Sequence, residues 1–303
     1  MYYLLMLVGV IILAANFSFQ KLYQKQVGSS VVKGLFFNTL NGIITAVVFF
    51  FIHLALFGIE GFSFSLFAIV CATAMSAFCF LYVMFGFKMM KKGAMTNYTL
   101  FLMSGGMIIP YLFGIVFLGE FSTLSGWQIA LRIVGLLLVV SGVVISNRAK
   151  EKNSNLKAII LLGVLIFLLN GGGSVASKVH QLPEFADVAA STTGFVFIQG
   201  LVQAILCSSA LAVIGPKHKD ELKAIPKFKS LGCASGNALG SGMYVIIQLL
   251  CASELPASVL FPMITGGTII VSALAGRLVF KEKITKNTLA GIIICFVGTL
   301  FFL

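Results

Sequence analysis

Long apolar stretches, each about the length of a membrane-crossing helix, follow one another along the whole chain, with short polar joints between them. They are solid runs rather than period-two alternations, which predicts helices and not barrel strands. Ten spans are predicted, over 2–19, 31–57, 64–87, 94–118, 126–146, 158–177, 188–214, 230–251, 256–280 and 288–303. The first has the length of a secretion signal but no basic start, and a like-sized span opens the second half. It is read as a retained helix. The predicted class is therefore all-α, a polytopic membrane protein.

Charge sharpens this picture. The chain is 59% hydrophobic and 10% charged with a net charge of +12, against about 25% charged residues in a soluble domain. Eighteen of the 21 basic residues fall in alternate joints: Lys21–Lys33, Lys88–Lys92, Arg148–Lys157, Lys217–Lys229 and Lys281–Lys286. The joints around Glu60, Glu120, Glu184 and Glu254 are almost free of them. Loops that stay in the cytoplasm retain Lys and Arg, so the excess charge marks one membrane face, with both termini on the other side. It does not mark a nucleic-acid partner. The location expected is a bacterial plasma membrane, with lipid as the surrounding partner.

Several function classes lose support. There is no Gly-x-x-x-x-Gly-Lys-[Ser/Thr] loop and no segment long enough for a nucleotide-binding domain, which argues against ATP-driven transport. His53, His180 and His218 have no ligand spacing, so neither a metal nor another cofactor is expected. No nucleophile–base cluster lies within the spans, so an enzyme is not expected. The six cysteines read as small apolar fillers.

Polar residues inside spans are costly in hydrocarbon and should face a cavity or a neighbouring helix. They fall at helical spacing. The eighth span carries Ser230, Asn237, Ser241, Tyr244 and Gln248; the ninth Ser258, Thr265, Thr268 and Ser272; the seventh Thr192, Gln199 and Gln203. The sixth carries Asn170, Ser174 and Lys178, the second Asn38, Asn41 and Thr45, the first Asn16 and Gln20. The fourth has Asn97, Ser104 and Tyr111, and the third Thr73, Cys79 and Tyr82. The fifth and tenth carry almost nothing polar. Spans one to four and six to nine are expected to surround a central path, with five and ten facing lipid or a second copy of the chain. Many Ser and Thr hydroxyls will only bond their own helix. The candidates for substrate contact are Asn16, Asn38, Tyr82, Asn97, Asn170, Lys178, Gln199, Asn237 and Tyr244. The run Gly171-Gly172-Gly173 beside Asn170 is expected to loosen its helix and offer carbonyls to a ligand, and Pro110 and Pro262 to kink theirs.

All nine acids lie in joints or at span ends. Proton-coupled export of a cationic drug needs a carboxylate within the membrane, so that mechanism is disfavoured. A path without acids suits a neutral, zwitterionic or anionic metabolite. Arg132, Lys178 and Arg277 lie within a few turns of span ends and can snorkel. Lys178 is the candidate to meet a substrate carboxylate or phosphate.

The halves repeat. Ser104-Gly105-Gly106 matches Thr265-Gly266-Gly267, and Leu118-Gly119-Glu120-Phe121-Ser122 matches the stretch from Phe280 through Glu282 to Thr285. Gly135 and Gly142 match Gly291 and Gly298; Cys71 and Tyr82 match Cys233 and Tyr244; Lys21 matches Lys178. Five spans per half is an odd number, so the halves insert upside down relative to each other. The predicted units are 1–147 and 158–303, joined by a basic linker over 148–157. A ten-span, two-repeat chain with a Gly-Glu turn before the last span of a half resembles the drug/metabolite transporter superfamily, EamA-like branch. The resemblance covers the whole chain. It implies a secondary transporter of a small organic metabolite, working by alternating access. It also implies cytoplasmic termini, opposite to the charge bias. Two other readings are a flippase for lipid-linked substrates on the same fold and a non-transporting sensor or assembly subunit. The latter predicts that Asn38, Gln199 and Asn237 pair with one another and leave no path.

Overall fold

Solid apolar runs with few breakers fold into helices. The computed structural model describes residues 1–28, 30–91, 95–122, 124–146, 156–281 and 286–302. Its helices are α1 (Tyr2–Val27), α2 (Val31–Phe57), α3 (Leu66–Lys91), α4 (Met95–Val116), α5 (Gly126–Ser146), α6 (Leu156–His180), α7 (Thr192–Ile214), the short α8 (Lys219–Lys223), α9 (Lys227–Glu254), α10 (Ala257–Phe280) and α11 (Lys286–Leu300). No strand occurs among the described residues. The predicted linker over 148–157 and the turn around Glu282 lie almost wholly outside the described residues.

Helix ends follow local chemistry. α1 runs past the predicted boundary at residue 19, because Lys21 to Gln26 are good helix formers once they reach water. It stops at Gly28, whose φ of 91° only glycine adopts freely, with its N–H on the Gln24 carbonyl at 2.8 Å. Ser30 then caps α2, its Oγ accepting from Lys33 N–H at 3.3 Å.

Among the described residues, seven helices are long and apolar enough to cross a membrane: α1, α2, α3, α5, α6, α7 and α10. This is the make-up of a multi-pass membrane protein. α4 and α11 are apolar over shorter stretches, Phe101–Val116 and Leu289–Leu300. α9 has the length, 28 residues, but its Gly, Ser and Asn content keeps it below the apolarity of the others. It is also deeply enclosed, burying Asn237, Ala238, Gly242 and Gln248. The outward faces carry large apolar side chains, among them Leu4, Phe51, Trp127, Leu137, Ile205 and Phe296. Apolar surface on that scale belongs in lipid rather than water.

Three helix pairs form the frame: α2 with α7, α4 with α10 and α5 with α11. α1 packs on α9 and α10, α6 on α3 and α4, α3 on α7, and α2 on α9. Glycines set the closest approaches. A Cβ at Gly135 would lie 2.9 Å from the Gly298 carbonyl oxygen, and one at Gly142 2.7 Å from that of Gly291. As numbers rise in α5 they fall in α11, so the pair is antiparallel. Gly42 against Ala204 and Gly200 against Ala46 show that α2 and α7 are antiparallel as well. Small residues are how membrane helices bring backbones together. The glycine run in α6 makes room for side chains instead. Residues 171–173 are helical, Gly171 lies against Ile109 and Gly172 against Phe78. The expected loosened turn is not there, because neighbouring side chains fill the space the missing Cβ atoms leave. Pro110 and Pro262 both sit inside their helices.

Candidate functional site

Eight helices wall a chamber of about 290 Å³. Asn16 and Gln20 come from α1, Asn38 and Asn41 from α2, Tyr82 from α3, Tyr98 from α4 and Asn170 from α6. Gln199 and Gln203 come from α7, Asn237, Tyr244 and Gln248 from α9, and Thr265 and Thr268 from α10. Among the described residues, α5 and α11 give nothing to the wall. α1, α2, α6, α7, α9 and α10 turn polar side chains inward and carry apolar ones on the opposite face. No acidic, basic or histidine side chain lines the chamber among the described residues.

Amides knit part of this wall together. Asn41 Nδ2 donates to Asn237 Oδ1, and Asn237 Nδ2 donates to the Asn16 carbonyl at 3.0 Å. Thr45 Oγ1 donates to Asn41 Oδ1 at 3.4 Å. The chain of bonds ties α1, α2 and α9 at their crossing. Asn170 Nδ2 donates to the Leu102 carbonyl at 2.7 Å, joining α6 to α4. Asn38 turns back on its own helix, donating to Gly34 O at 2.9 Å. Gln199 keeps its side-chain amide unbonded among the described residues, while its carbonyl accepts from Ser76 Oγ at 3.1 Å. Asn16 is 5% exposed, and neither side-chain atom has a partner; its amide rests against Gly240. The Thr268 hydroxyl is likewise buried and unpaired.

Of the nine candidates named from sequence, Asn16, Asn38, Tyr82, Asn170, Gln199, Asn237 and Tyr244 meet at this chamber. The side chain of Asn97 lies outside the described residues. Lys178 is a correction. It stands off the chamber, 6% exposed, with Nζ donating to the carbonyls of Ala252 at 2.6 Å and Leu255 at 2.8 Å. The last carbonyls of a helix lack partners within it, and a buried ammonium satisfies those at the end of α9. A substrate anion would have to displace them. The α4 stripe is also rotated from its predicted face. Tyr111 packs among Val139, Val259 and Cys295, away from the chamber, while Tyr98, Leu102 and Gly106 face it. Tyr98 escaped notice because it adjoins the more conspicuous Asn97; its four-residue steps to Leu102 and Gly106 were the signal.

One end of the chamber is heavily closed. Gln248 Nε2 donates to Ser177 Oγ at 2.9 Å, just above Lys178. Glu120 crosses to α10, where its carboxylate accepts from the N–H groups of Ala257 at 2.6 Å and Ser258 at 2.8 Å. A negative charge at a helix N-terminus meets both free N–H groups and the positive end of the helix dipole. Arg132 Nη1 reaches Ser258 Oγ at 3.4 Å. Ser65 Oγ bonds the Val188 carbonyl. His53 bonds Gly61 O through Nε2 at 2.8 Å and Thr193 Oγ1 through Nδ1 at 2.9 Å. A carbonyl only accepts, so Nε2 carries the proton and Nδ1 accepts from the threonine. Phe57, Phe62 and Phe64 pack around this ring. The joints around Glu60, Glu120, Glu184 and Glu254 thus gather at one end of the bundle.

The other end holds basic joints. Ser30 Oγ donates to Glu221 Oε2 at 2.6 Å, and His218 Nδ1 lies 3.0 Å from Glu221 Oε1. Tyr23 donates its hydroxyl to Lys33 O at 2.8 Å. A smaller groove lined by Gln20, Tyr23, Ser30 and Asn38 adjoins the chamber on this side.

No protein-family model and no curated protein matches the chain. Twenty-one chains of solved structures do. One, described only as a crystal structure of a protein, shares the fold with a TM-score of 0.71 at 16% identity, over 98% of this chain and 94% of the other. At that identity the likeness speaks for fold alone.

Proposed function

We propose that the chain is a secondary transporter of a small organic metabolite, an EamA-like member of the drug/metabolite transporter superfamily. On this reading ten membrane-spanning helices form two inverted repeats, 1–147 and 158–303, in a cell membrane with the basic joints on the cytoplasmic side. The observation that carries it is the chamber: a space walled by eight helices and lined by amides and aromatic rings, with no charged side chain among the described residues. Packing supports the repeats. Exchanging α1 with α6, α2 with α7, α3 with α9, α4 with α10 and α5 with α11 turns the α1–α9 pair into α6–α3, α1–α10 into α6–α4 and α2–α9 into α7–α3. The frame pairs map onto themselves, and those resolved by glycine contacts are antiparallel, as halves inserted upside down require. A non-transporting subunit has less support, since Asn38, Gln199 and Asn237 bond other partners or none instead of one another.

The test is twofold. Single cysteines at Gln20 and Gln248 should exchange accessibility to a water-soluble thiol reagent as solute is added, Gln20 open from the basic-joint side and Gln248 from the other. Reconstituted protein should show counterflow of at least one metabolite. Fixed accessibility together with no counterflow across a broad metabolite set rejects the transporter.

A further inference from the structure

The chamber wall narrows the substrate class, an inference that rests on the transport reading above. Among the described residues nine carboxamides line it: Asn16, Gln20, Asn38, Asn41 and Asn170, with Gln199, Gln203, Asn237 and Gln248. Each amide offers a donor and an acceptor side by side and no net charge. A zwitterion or anion needs charged partners or bare helix ends in a membrane interior. Among the described residues the wall carries no charged side chain, Lys178 being engaged by carbonyls outside it, and α6 runs unbroken past the chamber, its glycines included. Flat apolar surface accompanies the amides, with Phe17, Phe37, Tyr82, Tyr98, Tyr244 and Phe261 in the same wall. At about 290 Å³ the space sits at the small end of ligand pockets, which run from roughly 300 to 1,000 Å³.

Within this wall Asn16 stands out. Both its amide atoms are buried without a partner, an arrangement native proteins seldom leave unexplained. The side-chain amides of Gln20 and Gln199 also stand unengaged among the described residues, and Thr268 brings an unpaired hydroxyl.

We infer that the chamber binds an uncharged, planar ring with an adjacent N–H donor and C=O or ring-nitrogen acceptor, the edge of a nucleobase. The aromatic walls take the faces of such a ring, and the amides of Asn16 and Gln199 pair with its edge. Free bases and nucleosides share this chemistry.

The experiment is thermal unfolding and calorimetric titration of the purified full chain in detergent, against adenine, uracil, their nucleosides, alanine, glutamate and glucose. A base or nucleoside should raise the unfolding midpoint by several degrees. Response to the bases alone, or to the nucleosides as well, separates the two sources. Asn16→Ala and Gln199→Ala should each weaken that binding about tenfold or more. Asn16→Ala should leave the ligand-free midpoint unchanged or higher, because it removes an unpaired buried amide. A merely structural Asn16 would lower it. Binding of alanine, glutamate or glucose in place of the bases overturns this substrate class and leaves the transporter standing, as does base binding indifferent to both substitutions. If no solute on the panel binds, the class is overturned as well, and the accessibility experiment above then decides the transport reading by itself.

Discussion

The two ends of the chamber solve the same problem differently. Both must satisfy helix ends and loops beside a wet space. At the acidic-joint end charged groups do this: buried Lys178 on the carbonyls of Ala252 and Leu255 at the end of α9, and half-buried Glu120 on the first N–H groups of α10. At the basic-joint end, among the described residues, a serine–glutamate bond joins the first loop to the one before α9, and the Glu221 side chain is 40% exposed. Charge-assisted bonds shielded from water are strong, whereas exposed pairs contribute little. The difference teaches that, among the described residues, the charge-assisted bonds between joints gather at the acidic-joint end.

Four substitutions probe this asymmetry. Glu120→Ala should have the largest effect, since it strips the α10 N-terminus of both carboxylate bonds. A loss of about 3 kcal/mol is expected, read by chemical or thermal unfolding of the purified chain. Lys178→Met keeps the length and removes the ammonium. With two α9 carbonyls left bare it should cost about 2 kcal/mol, together with faster hydrogen exchange in the loop from Leu255 to Ala257. Asn237→Leu acts between the ends. It cuts the link between α1, α2 and α9, and about 1 kcal/mol should be lost. Ser30→Ala should change stability by less than about 0.5 kcal/mol, yet speed thiol labelling of a cysteine placed at Gln24. If Ser30→Ala proves as damaging as Glu120→Ala, the asymmetry between the ends is wrong.

Much of this molecule could be read before its structure. Helical class and multi-pass character follow from run length and the absence of period-two patterning. Polar stripes pointed to Asn16, Asn38, Tyr82, Asn170, Gln199, Asn237 and Tyr244, which meet at the chamber. What stayed hidden was non-local. Lys178 looked like a free cation because the carbonyls it serves lie 74 and 77 residues further along. Glu120 looked like a repeat marker because the N–H groups it caps begin 137 residues away. On α4 the spacing of Asn97, Ser104 and Tyr111 fits a buried stripe, but periodicity does not say which of two buried faces meets the chamber. The α6 glycines carried two meanings, loosening and close approach, and only the positions of Ile109 and Phe78 decide between them.

The polarity of α9 has a consequence for how the protein is made. A helix rich in Gly, Ser and Asn gains little from lipid and has to be welcomed by protein. Its Asn237 finds partners on α1 and α2, both synthesised long before it. The early helices thus form a cradle that waits in the bilayer, and a ribosome that has not yet delivered α9 holds a bundle with an open seam.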